Sequence, residues 1–321
     1  MVANQAVDIS FSIGIAHFPE HGMDASSLLR KADIALNSAK RKRSFHEVYD
    51  GNLEASRQEH LHLLGELRDA VENDELCIYY QPKVQLSSNR TLAVEALVRW
   101  RHPTRGFITP NEFIPFAEHT GAIRIITGWV IEHALEQINI WKAGDLNIRI
   151  SLNISARDLL NKELPVVLDT AIRKHGLTAD LICLEITESA LMEDPVNSQR
   201  TVLNLNNMGL EISIDDYGTG YSSLAYVKDL PIKELKIDRA FIMNMDQHDN
   251  DLAIVRSTID LGHSLGLRIV AEGVETEQQY NLLRSLGCDL AQGYFIARPM
   301  SADEFEAWLS SKKFIEMMQA V

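Results

Sequence analysis

Short apolar segments alternate with longer segments over most of the chain, and this alternation predicts the fold. The apolar segments have the length of β-strands, and most of the intervening segments have the length of helices. This order is typical of α/β proteins with a largely parallel sheet, and eight such strands predict a (β/α)₈ TIM-like barrel. The predicted strands lie near residues 76–86, 92–100, 148–154, 181–187, 210–216, 233–238, 268–272 and 289–295.

The first two predicted strands are joined differently from the others. Only the polar link Ser87-Ser88-Asn89-Arg90 separates them. Such a link is long enough for a hairpin but too short for a helical crossover between parallel strands. We therefore expect one antiparallel strand in the barrel.

The N-terminal part has a shorter pattern of its own. Alternation predicts a strand over Asp8–Ala16, and a helix is expected over Ala25–Lys42 after a turn at His17–Gly22. One strand and one helix cannot bury a core independently. This part is therefore expected to be the remnant of a larger domain or to dock elsewhere.

Two strings in this N-terminal part resemble the C-terminal end of a GGDEF diguanylate cyclase domain. They are Ser12–Ala16 and Leu28–Ala35. The Gly-Gly pair of that domain's signature does not occur in the sequence. We predict a GGDEF-like remnant over residues 1–50, a linker over 51–60 that leads into a helix from about 54 to 72, and the barrel domain over 61–321.

Composition and charge narrow the function classes. The 321 residues are 45% hydrophobic, and their formal charge of −14 disfavours binding of long nucleic acid through its phosphates. No apolar run approaches the length of a membrane span and no secretory signal is visible, so the fragment is expected to be cytoplasmic and not inserted in a membrane. The cysteines Cys77, Cys183 and Cys288 form no C-x-x-C pair, which favours core packing over zinc binding or a disulfide.

Polar side chains recur towards the C-terminal ends of the predicted strands. Period-two alternation places Glu95 and Arg99 on one face of their strand. The C-terminal ends of parallel barrel strands meet at one rim, where barrel enzymes have their active sites. The remaining members of this polar set are Asn153, Glu185, Asp215, Asp216, Lys236, Glu272, Glu275 and Gln292.

Carboxylates gathered at one rim repel each other unless cations are present, and Lys236 alone cannot neutralise this set. Carboxylate and amide oxygens without a His or Cys cluster suit Mg²⁺ or Mn²⁺. The pattern predicts a hydrolytic site with two metals that activates water against a phosphodiester.

Each of these residues also has a simpler structural interpretation. Glu95 and Arg99 could form an ion pair, Asn153 could cap a turn, and Asp215-Asp216 before Gly218 could belong to a turn. Together, these interpretations require a separate coincidence at the same end of consecutive strands. We therefore favour the site.

The ordered set of motifs resembles the EAL-domain family of cyclic di-GMP phosphodiesterases from about Leu61 to Leu309. Tyr217 stands where that family usually has Phe. The motifs are Glu95-Ala96-Leu97, Tyr80-Gln81-Pro82, Leu152-Asn153-Ile154-Ser155, Glu185-Ile186-Thr187-Glu188, Asp215-Asp216-Tyr217-Gly218-Thr219-Gly220, Leu235-Lys236-Ile237-Asp238, Glu272-Gly273-Val274-Glu275 and Gln292-Gly293-Tyr294.

The resemblance implies roles for individual residues. Metal ligation falls to Glu95, Asn153, Glu185 and Asp215, with Asp216 and Glu272 supporting a second metal. Lys236 would act with Glu95, Asp216 and Glu272 in catalysis, holding the attacking water or the developing charge. Glu188 would anchor the loop after Asp216. The residues implied to contact substrate are Gln81, Leu97, Arg99, Glu275 and Gln292.

The implied function is metal-dependent hydrolysis of cyclic di-GMP to linear pGpG, with Mg²⁺ or Mn²⁺ as cofactor. A catalytically weak cyclic di-GMP receptor is the alternative, and retention of the ionisable positions favours the enzyme. A diguanylate cyclase would need the missing signature. The resemblance also suggests that Tyr221–Leu224 forms a gate, and a symmetric homodimer is expected.

Overall fold

Eight β-strands form a closed barrel in the computed structural model of the chain, which describes residues 11–41, 44–218 and 228–311. Within these ranges, two further short strands pair with each other near the N-terminus, and a third extends the barrel sheet at one edge. The strands are β1 Ile13–Ile15, β2 His46–Val48, β3 Leu76–Gln85, β4 Thr91–His102, β5 Gly106–Ile108, β6 Arg149–Ile154, β7 Ile182–Thr187, β8 Glu211–Tyr217, β9 Glu234–Ile237, β10 Arg268–Ala271 and β11 Leu290–Ala291.

The barrel strands follow the order β3, β11, β10, β9, β8, β7, β6 and β4, and pairing of β3 with β4 closes the ring. β3 is antiparallel to both of its neighbours, β4 and β11. The other pairs in the ring are parallel. The prediction of a barrel with one antiparallel strand is confirmed. The hairpin between β3 and β4 turns at Asn89, whose φ of 56° lies in the left-handed region that Asn tolerates.

Helices connect the parallel strands and cover the outside of the barrel. Strand residues on the outward face, such as Ile150, Leu152 and Ile154 of β6, are buried in one continuous apolar core with these helices. The helices are Ala25–Arg41, Gly51–Glu72, Pro110–Thr120, Ile123–Ala143, Ala156–Leu159, Leu164–Lys174, Glu188–Glu193, Pro195–Asn207, Arg239–Ile242, Asp249–Ser264, Glu277–Ser285 and Ala302–Ser311.

The N-terminal segment forms a small separate packing unit. β1 and β2 pair in parallel, and Ile34, Ala35 and Tyr49 form a second buried cluster beside them. The helix lies so close to β1 that a Cβ atom on Gly14 would be 2.0 Å from the Ala32 carbonyl oxygen. Only glycine permits this approach.

Some boundaries differ from the sequence predictions. The helix leading into the barrel begins at Gly51, three residues before the predicted start, because the Asp50 side chain accepts a hydrogen bond from the Asn52 backbone N–H and caps it there. The strands β2 and β5 were not predicted, since three residues are too few to show a period. The described residues begin at position 11, after the first residues of the strand predicted from Asp8.

The three cysteines lie within the described ranges, and all are free thiols. Cys183 and Cys288 are buried in the core, as expected, whereas Cys77 on β3 is half-buried.

Among the described residues, none of the helices combines the length and the apolar composition that crossing a bilayer requires.

Candidate active site at the barrel mouth

The register of the strands gathers the predicted polar residues inside one end of the barrel. Glu95 of β4 pairs with Gln81 of β3 and is next to Ser151 of β6, while Asn153 of β6 is next to Glu185 of β7. Because side chains alternate between faces, these neighbours point together into the barrel interior. The sequence prediction of a shared polar face agrees with this register.

Lys236 of β9 lies at the centre of the cluster and is fully buried. Its Nζ atom is 2.5 Å from Glu185 Oε2, and it lies 2.6 Å from Glu272 Oε1. Two further carboxylates are close, Asp215 at 3.2 Å and Glu95 at 3.7 Å. Burial disfavours the charged ammonium, but these carboxylates outweigh it and raise the pKa of Lys236 well above its ordinary value. The carboxylates around Lys236 therefore favour its charged form.

The carboxylates around Lys236 differ in pKa because burial and the neighbouring charges act on them to different extents. Burial raises the pKa of Glu272 to about 8 against the attraction of Lys236, and Asp215 and Glu95 raise it further. Burial likewise raises the pKa of Glu95. Glu185 is also buried, but Lys236 and a second lysine, Lys83, lower its pKa to about 2. A set of buried carboxylates with raised pKa values is one that an added cation would stabilise.

Asp216 reaches the same mouth as Asp215 although the two residues are consecutive. Strict alternation would send their side chains to opposite faces. The φ of Asp216 is 55°, in the left-handed region, which turns the chain at the end of β8. Asp215, Asp216 and Glu272 thereby each place a carboxylate oxygen within 4.8 Å of the others. Burial and the neighbouring carboxylates of Asp215 and Asp238 raise the pKa of Asp216 to about 6.

A chain of hydrogen bonds fixes Glu95 from both sides. Asn153 Nδ2 donates to Glu95 Oε1 over 2.7 Å, and Gln292 Nε2 donates to Glu95 Oε2 over 2.6 Å. Gln292 Nε2 also donates to Gln81 Oε1 over 3.0 Å, while Gln81 Nε2 donates to the Ala297 carbonyl oxygen. Asn153 is exposed to solvent at the mouth, whereas Glu95 is only 6% exposed. Glu95 is thus more enclosed than its predicted position at the barrel rim suggested.

The other residues expected to contact substrate are spread around the mouth. Leu97 lines a cavity of about 680 Å³ together with Asn153 and Asp216. Arg99 is half-buried, with its guanidinium 5.8 Å from the ring centroid of Tyr79. Glu275 is exposed on the segment after β10, and its backbone N–H donates to Gln279. Contact with a ligand therefore stays a prediction for these residues.

Glu188 is buried, with 3% of its surface exposed. Thr187 caps the helix that begins at Glu188 by accepting a hydrogen bond from the Ala190 backbone N–H. Glu188 Oε2 accepts a hydrogen bond from the Gly218 backbone N–H over 3.0 Å. The carboxylate thus holds the first glycine after the paired aspartates. The gate suggested at Tyr221–Leu224 lies outside the described residues.

Lys83 of β3 was missed by the sequence analysis. It is fully buried inside the barrel, and its Nζ atom contacts Glu185 Oε1 and, at 3.0 Å, Glu234 Oε1. The cluster therefore contains a second ammonium group besides Lys236. Alternation from Gln81, two residues earlier on the same strand, would have placed Lys83 on the barrel axis.

A closed α/β barrel with carboxylate and amide oxygens grouped at its mouth defines a class of barrel proteins that can hold a hard divalent cation. The chain belongs to the EAL domain family, whose model matches residues 64–299. Residues 1–45 match the family described as diguanylate cyclase, GGDEF domain. Both resemblances stated from the sequence are confirmed.

The relatives include two proteins of Pseudomonas aeruginosa. The bifunctional diguanylate cyclase/cyclic di-GMP phosphodiesterase MucR is 42% identical over 308 residues, which are 95% of this chain and 45% of MucR. The cyclic di-GMP phosphodiesterase NbdA is 37% identical over 305 residues, which are 94% of this chain and 39% of NbdA. The chain thus spans less than half the length of these two relatives.

A solved structure described as the PaMucR phosphodiesterase in complex with c-di-GMP is also similar. It is 44% identical to this chain, and the two match with a TM-score of 0.74. The match covers 76% of this chain and 99% of the solved chain. The matching region is therefore part of this chain but nearly the whole of the solved chain.

Proposed function

We propose that the chain hydrolyses cyclic di-GMP to linear pGpG. The observation that carries the proposal is the group of buried carboxylates around Lys236, in which Asp215, Asp216 and Glu272 place oxygens within 4.8 Å of one another. The similarity to cyclic di-GMP phosphodiesterases and to a c-di-GMP complex supports the choice of substrate.

We assign divalent metal binding to this cluster, with Mg²⁺ or Mn²⁺ as the ion and two ions per site. The donors are carboxylate and amide oxygens, which suit these hard cations. When bound, the ions would polarise the phosphodiester and activate water for attack on phosphorus. The residues that would hold them are Glu95, Asn153, Glu185, Asp215, Asp216 and Glu272.

The protein's own groups would orient the reactants and balance charge. Asn153 and Gln292 hold the Glu95 carboxylate in one orientation through its two oxygens. The Lys236 ammonium attracts the neighbouring carboxylates of Glu185, Asp215 and Glu272, and it can offset negative charge that develops on the phosphate. Gln292 Oε1 is buried and has no hydrogen-bond partner in the described part of the chain. It is available to accept a hydrogen bond from a guanine N–H group, while Arg99 can donate to a phosphate or a guanine.

Chromatography of cyclic di-GMP incubated with the pure protein tests the proposal. We expect linear pGpG to form in the presence of Mg²⁺ or Mn²⁺ and to stop forming in excess EDTA, because the carboxylates need a counter-cation to receive a phosphodiester. Full turnover in EDTA would refute the metal assignment. Binding of cyclic di-GMP without turnover would favour the receptor alternative.

The same preparation should make no cyclic di-GMP from GTP. The match to a GGDEF domain covers residues 1–45, and the sequence lacks the Gly-Gly pair of the cyclase signature. Incubation with GTP and Mg²⁺, followed by the same chromatography, measures this. Detectable synthesis by the pure protein would contradict the assignment of this part as a remnant.

Glu188→Ala should lower turnover at least about tenfold while the melting temperature changes by only a few degrees. The substitution removes the acceptor that holds the Gly218 backbone N–H, and it leaves the strand with Glu185 in place. Glu277→Ala is the matched control, because Glu277 also begins a helix but is exposed and has no predicted role in the site. If Glu188→Ala turned over cyclic di-GMP at a rate close to that of the control, the proposed role of Glu188 as loop anchor would be wrong.

We also propose that the chain forms a symmetric homodimer. The dimer follows from the family resemblance around the segment after Asp216 and from the prevalence of two-fold assemblies. A sedimentation mass that stays monomeric over a wide protein concentration range would argue against it.

A further inference from the structure

Lys83 occupies the barrel interior next to the cluster but has no role in the proposed chemistry. Its side chain is fully buried, and its three ammonium hydrogens have three acceptors. These are Glu185 Oε1, Glu234 Oε1 at 3.0 Å and Ser151 Oγ at 2.9 Å. We propose that Lys83 is a positioning residue that fixes the Glu185 carboxylate for metal binding, an inference that rests on the proposed function.

Glu185 is held at both of its oxygens. Lys83 contacts Oε1, and Lys236 contacts Oε2 at 2.5 Å. The Glu185 side chain is 0% exposed, so bulk water cannot replace the contact with Lys83. With Oε1 fixed, the carboxylate cannot rotate about its terminal bond, and Oε2 stays directed towards Lys236 and the other carboxylates.

Lys83 also places a positive charge beside Glu185 Oε1, whereas Lys236 contacts the other oxygen of that carboxylate. Lys236 contacts four carboxylates, so its single positive charge is divided among Glu95, Glu185, Asp215 and Glu272. Lys83 adds a second positive charge to Glu185 from the opposite side. The two ammonium groups thus contact different oxygens of the Glu185 carboxylate, Lys83 at Oε1 and Lys236 at Oε2.

The charge of Lys83 is balanced on the other side by Glu234, which is 3% exposed. Glu234 in turn lies 3.7 Å from Arg268, and Arg268 contacts Glu211. Lys83 therefore belongs to the active-site cluster through Glu185 and to a structural ion-pair network through Glu234. A purely structural lysine would affect folding through both contacts, whereas a positioning lysine would affect metal binding through Glu185 alone.

Three variants separate these two roles. Lys83→Met removes the ammonium group while keeping a side chain of similar length. Glu234→Gln changes only the structural partner and is the matched control. The double variant Lys83→Met/Glu234→Gln removes one positive and one negative charge together, so its buried charge stays balanced and it is expected to fold.

The measurements are thermal melting, Mn²⁺ binding by calorimetry, and kcat and KM for cyclic di-GMP. We expect the double variant to melt within a few degrees of the wild type but to bind Mn²⁺ at least about tenfold more weakly. Its kcat should fall by a similar factor, with KM within about twofold, because the substrate-contacting residues are unchanged. Glu234→Gln should keep wild-type Mn²⁺ affinity.

Wild-type Mn²⁺ affinity in a folded variant that lacks Lys83 would overturn the proposal. Failure of the double variant to fold would also count against it, since the fold itself would then require Lys83. The proposed function fails in a different way, namely if the wild-type protein neither binds Mn²⁺ nor hydrolyses cyclic di-GMP.

Discussion

Glu95→Gln should reduce hydrolysis of cyclic di-GMP by at least about 100-fold, and Glu95→Ala should abolish it. The carboxylate is the acceptor for both Asn153 and Gln292, and it lies 3.7 Å from Lys236. Gln preserves the volume and one acceptor oxygen but removes the negative charge. The new N–H₂ group would face an amide donor, but the exposed Asn153 can turn its Oδ1 towards it as an acceptor, so the side chain can stay in place while the proposed metal site loses an anionic ligand.

The two substitutions at Glu95 should differ in stability. Glu95 is buried, so Glu95→Ala leaves a small cavity and two amide donors without an acceptor, which we expect to cost about 1–3 kcal/mol. Glu95→Gln should melt close to the wild type. Arg101→Gln, an exposed position on the same strand, is the control for turnover. Wild-type rates in either Glu95 variant would refute its assignment as a ligand.

Lys236→Met should abolish turnover and destabilise the metal-free protein strongly. The substitution leaves Glu185, Asp215 and Glu272 without the ammonium group that they share. Breaking a buried ion pair by removing one partner costs about 3–5 kcal/mol, and we expect the melting temperature to fall by roughly 6–20 °C. Thermal unfolding in EDTA measures this loss.

Added Mn²⁺ should recover part of the stability of Lys236→Met, because an ion that binds only the folded protein shifts the folding equilibrium towards it. Turnover should not recover, since the proposed offset of phosphate charge by the ammonium group is still missing. Lys233→Met is the matched control, because Lys233 is exposed three residues earlier in the chain. An unchanged melting temperature for Lys236→Met in EDTA would contradict the central place of Lys236 in the cluster.

Much of this arrangement was predictable because strand periodicity is simple. Along their strands, Glu95, Asn153 and Glu185 each alternate with apolar residues that face outward. The parallel register then brings the three polar side chains to one mouth of the barrel. The short link between the first two strands also predicted the antiparallel strand, since no helix fits in it. In both cases a local property of the sequence determines the spatial result.

Other features depend on tertiary structure that a local pattern does not contain. The approach of Asp216 to Asp215 requires a left-handed backbone conformation at Asp216. The enclosure of Glu95 depends on Gln292, which is 197 residues away in sequence. Lys83 was missed for a different reason: its position on the axis follows from alternation, but the ion pairs that make a buried lysine stable come from β7 and β9.

The buried ion pairs of Lys83 have a consequence for how the barrel folds. Its partners Glu185 and Glu234 lie 102 and 151 residues later in the chain. A partly assembled barrel that has β3 but lacks β7 and β9 would have to leave this lysine in water or bury it without a counter-ion, and the second option is strongly unfavourable. Half-barrels are thereby disfavoured as compact states, which makes assembly of the ring more nearly all-or-none. A chain divided between β6 and β7 should therefore yield two fragments that gain their native structure only when they are combined.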